Sequence, residues 1–169
     1  MLAAISVSRH LGADDTSIKA GVESYRGVKR RFEFIIKRDD LVFIDDYAHH
    51  PVEITALLKS VKDLFAGRKV TAVFQPHLFS RTRDFAQEFS ESLSLADEVI
   101  LLDIYPAREL PIKGVNSEML MEGISCEKKM ISSKESLIDN IKAWQPEVLL
   151  TVGAGDIDKL VQPIKNALS

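Results

Sequence analysis

Two rhythms of apolar residues alternate along most of this chain. Ile54, Leu57, Leu58, Val61, Leu64 and Phe65 recur every three or four positions behind Pro51, which predicts a helix opened by that proline. The next apolar run, VTAVF at 70–74, is short and continuous, as in a strand covered on both faces. The pair of patterns then repeats. Phe85, Phe89 and Leu93 mark a helix before the strand EVILLDI at 98–104. Leu120 and Ile124 mark a short one, capped by Asn116-Ser117, before KKMI at 128–131. Leu137, Ile138, Ile141 and Trp144 precede EVLLTV at 147–152, and Ile157, Leu160, Val161, Ile164 and Leu168 form the last helix. Upstream, Phe32, Phe34 and Ile36 and the run Leu41–Ile44 flank the turn RDD, as in a hairpin or two neighbouring strands. Two short helices, 2–11 and 15–24, lead the chain, and a polar joint, Glu23–Arg31, separates them from the rest.

Strands that alternate with helices need crossover connections, and those build a largely parallel sheet. The expected class is α/β, doubly wound, with helices on both faces. At 169 residues, 46% apolar and 28% charged, the chain suits one domain with a sizeable core. A net charge of −3 points to neither nucleic acid nor an anionic membrane as partner. No apolar run approaches a membrane span, and MLAAISVSRHLG is too short and too lightly charged for a signal peptide. Cys126 stands alone, which fits a cytoplasmic protein with one incidental thiol.

The unusual chemistry is confined to one set of connections. Segments entering strands are plain: AGRK, SLAD, SCE and QPE. Segments leaving strands are DDYAHHP (45–51), QPHLFSRTRD (75–84), YPARELPIKGVNS (105–117) and GAGD (153–156). Ligands of such sheets bind outside the carboxyl ends of the strands, so one edge is expected to be scaffold and the other a site. Arg81, Arg83, Arg108 and Lys113 bring positive charge to it. Asp45, Asp46 and Glu109 bring carboxylates, and His49, His50 and His77 bring imidazoles, a side-chain type able to change charge near neutral pH. Arginine forks and helix N-termini near Pro51, Thr82 and Asp156 suit a phosphorylated or carboxylated ligand.

Plainer readings compete residue by residue. Asp46 is also a natural cap for the helix after it, and the histidine pair a polar loop. Lys29-Arg30-Arg31 is equally a solvated face, and Phe74, Phe79, Phe85 and Phe89 read as core. Arg81 and Arg83 flank an expected helix start, where the dipole disfavours cations, so a structural role explains them less well. GAGD is a weak phosphate-loop signal, and no GxxxxGK[ST] occurs anywhere. Zinc is a rival ligand for His49, His50, His77 and Asp46 by type, but adjacent histidines diverge and no HExxH or HxH frames them.

Taken in order, GVKRRFE, DDYAHHPVEI, FQPHLFSRTRDF, PIKGV and GAGDI resemble the C-terminal domain of the Mur ligase family over nearly the whole chain. The resemblance implies a Rossmann-like domain that closes over a nucleotide held by a central domain. Residues 1–25 would be the terminal helices of that ATP-binding domain, and 26–169 the C-terminal domain. The chain would then be a fragment whose Met1 is no natural start, inactive by itself. The activity implied is an ATP-dependent amide ligase of peptidoglycan precursor synthesis, working through an acyl phosphate. Its partners would be UDP-N-acetylmuramate, L-alanine and ATP, with Mg2+ ligands mainly in the central domain and no metal site here. Arg31, Asp46 and His49 would be nucleotide-binding, with Asp46 on the ribose. Tyr47, His77 and Arg81 would face the amino acid, and His49 and Arg81 would be catalytic. Leu78 stands where some members carry arginine. The alternatives are a recycling ligase that adds a whole peptide to the same sugar, and a free-standing metal- or small-molecule-binding domain.

Overall fold

A computed structural model describes residues 1–169 apart from Arg26, which the expected boundary adjoins. Six strands form one sheet: β1 (Glu33–Lys37), β2 (Val42–Asp46), β3 (Val70–Phe74), β4 (Glu98–Leu101), β5 (Lys128–Ile131) and β6 (Val148–Val152), in the order β1-β2-β6-β3-β4-β5. β1 runs antiparallel to β2, with a bulge between Phe34 and Ile36, and every other pairing is parallel. The register levels the carboxyl ends of the parallel strands: Asp46, Val152, Phe74, Leu101 and Ile131 lie in one row across the sheet.

Successive strand residues point to opposite faces, and both faces are apolar. Val42, Ile44, Phe74 and Leu150 pack under α3 (Pro51–Leu64), α5 (Ala86–Leu93) and α6 (Ser117–Gly123). Phe43, Val73, Ile100 and Leu149 pack under α7 (Leu137–Trp144) and α8 (Asp158–Leu168). The doubly wound α/β class is thus present as expected. Phe43, with no exposed surface, illustrates the energetics: truncating such a side chain to alanine costs about 3–5 kcal/mol.

Three details depart from the sequence reading. Strand β4 ends at Leu101 rather than 104: the Leu102 amide still donates to the Phe74 carbonyl at the end of β3, and the chain leaves the sheet at the exposed Asp103. A short helix, α4 (Phe79–Asp84), occupies most of the stretch expected as loop. Arg81 and Arg83 therefore sit in a last helical turn, where the dipole favours cations, and not at a helix start.

The leading helices, α1 (Leu2–His10) and α2 (Asp15–Ser24), bury no residue. Asp14 caps α2 by accepting from the Ser17 amide at 2.8 Å. A groove of about 370 Å³ between the two helices is lined by Ile5, Ile18, Val22 and Tyr25 among others. Among the described residues no helix is long and apolar enough to cross a membrane.

Candidate functional site

The site grows from the levelled strand ends. At the end of β2, Asp45 and Asp46 point to opposite sides and do different work. Asp45, 2% exposed, accepts from the Thr151 hydroxyl at 2.6 Å and from Arg30 Nε at 3.3 Å. Burial pushes its carboxyl up, against the pull of Thr151 and Arg30. Arg30 also donates to the Gly153 carbonyl. Its backbone sits at φ 58, which turns this side chain inward while Arg31 stays exposed. The basic triplet therefore divides: Arg30 is structural, and Arg31 lays its guanidinium 5.4 Å from the Tyr47 ring with its charge open to the edge.

Asp46 does not cap α3. Its two oxygens accept from the Phe32 amide at 2.7 Å and the Ala48 amide at 2.8 Å. A carboxylate has about four acceptor positions, so two remain for a ligand hydroxyl. The cap of α3 is His50, whose ring accepts from Val52, while Glu53 reaches back to the His49 and His50 amides. This is a capping box with histidine in the usual serine place. His50 also packs edge-on against Phe85, 4.8 Å between centroids. Its role is to open the helix.

His49 faces the other way. Its Nδ1 lies 2.9 Å from the Tyr47 carbonyl, which can only accept, so Nδ1 carries the proton. Nε2 then offers a donor to a phosphate only when the ring is charged. Its ring meets Tyr47 at 5.1 Å and His77 at 6.2 Å, so the loops after β2 and β3 touch here.

After β3, Leu78 adopts φ 73, outside the region an L side chain prefers, and starts α4. That turn stacks His77 on Tyr105 at 5.7 Å and places Arg81 one turn into α4. His77 Nδ1 and one terminal nitrogen of Arg81 are buried with no hydrogen-bond partner among the described residues. Burial pushes the His77 imidazole down; Arg81 and His49 push the same way and Glu109 opposes them. Arg83 points outward and pairs with Asp84. Arg108 and Lys113 are exposed.

Between these loops runs the exit of β6. The glycines of GAGD are packed against neighbouring residues. A Cβ at Gly153 would meet the Gln75 carbonyl at 2.7 Å, and one at Gly155 would strike the Gln75 and Tyr105 side chains. Gln75 donates to Asp156 and accepts from the Ile157 amide, each at 2.9 Å, and Lys134 reaches the same Asp156 oxygen. A cavity of about 190 Å³ beside them is lined by Gln75, Tyr105 and Lys134. Sequence reasoning passed over Gln75 and Lys134, whose partners lie 81 and 22 positions away. Among the described residues no group of three or more His, Cys, Asp and Glu is arranged for a metal ion.

Residues 30–155 match the model of one protein family, described as Mur ligase, glutamate ligase domain. The chain belongs to the Mur ligase family. Curated relatives in this family include the UDP-N-acetylmuramate–L-alanine ligase of Cytophaga hutchinsonii, 55% identical over 96% of the chain and 35% of that protein. The ligase of the same name from Parabacteroides distasonis is 51% identical over 99% of the chain and 36% of that protein. Among solved structures, the UDP-N-acetylmuramate–alanine ligase of Thermotoga maritima superposes with a TM-score of 0.80 at 29% identity, over 99% of the chain and 36% of its own. A murein peptide ligase from Psychrobacter arcticus shares the fold, with a TM-score of 0.66 at 24% identity over 98% of the chain and 35% of its own. The chain spans a little over a third of the length of the curated relatives it matches.

Proposed function

We propose that this Mur ligase domain serves an ATP-dependent ligase that joins L-alanine to UDP-N-acetylmuramate through an acyl phosphate, in the cytoplasm. The observation that carries the reading is the pair His77–Arg81. A buried guanidinium nitrogen without a partner costs free energy, and a ligand carboxylate or phosphoryl oxygen is the group that would relieve it. Relatives at about half identity across nearly the whole chain share the name UDP-N-acetylmuramate–L-alanine ligase, which supports L-alanine as the substrate.

In this reading Arg81 grips the carboxylate of the amino acid or the transferring phosphoryl group, with His77 and Tyr47 beside it. Asp46 holds the nucleotide ribose through its free acceptor positions. Arg31 and His49 face the phosphates. Catalysis is then positioning and charge neutralisation, with water kept from the acyl phosphate by closure of this domain. In this reading the magnesium that accompanies ATP is held mainly by the preceding domain. Residues 1–25 belong to the preceding ATP-binding domain in this scheme, and 26–169 to the C-terminal domain. The absence of any buried residue in α1 and α2 supports that division.

The test is phosphate release by the longer protein, supplied with ATP, magnesium and UDP-N-acetylmuramate. L-alanine and the L-alanyl-γ-D-glutamyl peptide are offered separately. Release that depends on L-alanine is expected. Release with the peptide alone would transfer the assignment to a recycling ligase.

A further inference from the structure

Helix α4 is poorly equipped to hold itself. It has six residues, and its N-cap, Leu78, offers no side-chain bond to the first turn. Isolated helices of that length are unstable in water. Leu78 adds strain through its positive φ. Yet α4 carries Arg81, whose buried nitrogen is one of two unsatisfied groups in the site.

What holds α4 comes from the loop after β4. Glu109 accepts from the Ser80 amide at 2.9 Å with one oxygen, and from the Ser80 hydroxyl with the other. Its own backbone is fixed by a tight turn, in which the Glu109 amide donates to the Pro106 carbonyl at 2.9 Å and Ala107 takes φ 50. The same loop grips the helix a second time, because the Leu78 amide donates to the Tyr105 carbonyl at 2.9 Å. A negative charge at the start of α4 also suits its dipole. The Ser80 bonds hold the Glu109 carboxyl below the usual carboxylate range, so it is ionised near neutrality.

We propose that Glu109 is the positioning residue of Arg81: it caps α4 from another loop and so fixes where the guanidinium meets the amino acid. Its two oxygens are engaged by the Ser80 amide and hydroxyl at the start of α4, so it acts through the helix. The kinetic part rests on the ligase reading above.

The test uses Glu109→Ala, Glu109→Gln and Ser80→Ala, in the longer enzyme for kinetics and in this chain for amide exchange. Glu109→Ala is expected to raise KM for L-alanine about tenfold, the size of a lost helix cap, and to leave KM for ATP unchanged. Glu109→Gln retains an acceptor for the amide and a donor for the hydroxyl, and is expected to stay near wild type. Ser80→Ala should fall between them. Amide exchange at Ser80–Thr82 should quicken in Glu109→Ala, a readout independent of any activity. Unchanged exchange would overturn the cap. Quicker exchange with an unchanged KM for L-alanine would overturn the positioning role, as would a parallel rise in both KM values. A wild-type enzyme silent with L-alanine would instead refute the ligase reading.

Discussion

The two halves of the site, at the ends of β2 and β3, are built on opposite terms. After β2 the polar groups are bonded to protein: Asp45 to Thr151 and Arg30, Asp46 to two amides, and Glu53 to the amides of both histidines. After β3, His77 and Arg81 each keep a buried nitrogen with no partner. A satisfied network is rigid and already stable, whereas an unsatisfied one is stabilised by whatever completes it. The β2 half can therefore shape a ligand, and the β3 half has the larger free energy to gain from one.

The largest effect that would break this contrast is kinetic. Arg81→Ala should lower turnover of the longer enzyme by roughly two to three powers of ten, as for loss of a charge-stabilising donor. A wild-type rate in steady-state assays would remove Arg81 from the site. On the β2 side the largest effect is on stability. Arg30→Ala should cost about 3 kcal/mol in denaturant unfolding of this chain, because Asp45 would stay buried without its cation. A loss under about 0.5 kcal/mol, the scale of ordinary surface changes, would show that Thr151 alone suffices. Asp46→Ala should raise KM for ATP about tenfold, the order expected for hydrogen bonds to a charged group. An unchanged value would reduce Asp46 to its two backbone bonds.

The smallest effect is a titration. His77 should lose its proton below the usual value of about 6.5, and Arg81→Ala should move that midpoint upward by removing a neighbouring cation. Imidazole NMR shifts of this chain report both. The sign for stability follows from proton counting: the unfolded chain binds the His77 proton more readily. The neutral ring's contribution is thus complete above about 6.5 and is lost as pH falls through the lower folded midpoint. A His77 midpoint above 6.5 would contradict its burial among cations.

Much of this was legible in the chain. Strand and helix periods placed β3 and β5 to the residue, and the asymmetry between connections gathered the unusual polar residues at the carboxyl edge. Helix α4 escaped because six residues with three charges carry no apolar period. The inward, structural turn of Arg30 escaped because it depends on one backbone angle. His50 was legible as a residue of the turn before Pro51, but its capping box was hidden, since histidine is rarely read as a cap. Glu109 was visible as a carboxylate, but its partner lies 29 positions away and only the fold joins them.

The strand order has a last consequence. β6 lies between β2 and β3, so its exit forms the floor between the two halves, where Gly153 and Gly155 make room for Gln75 and Tyr105. Neighbouring strands are about 4.8 Å apart, so the ends of β2 and β3 stand roughly 10 Å from each other across it. The sheet is in that sense a ruler for the roots of the two loops, while His49 and His77, with ring centroids 6.2 Å apart, narrow the span above it.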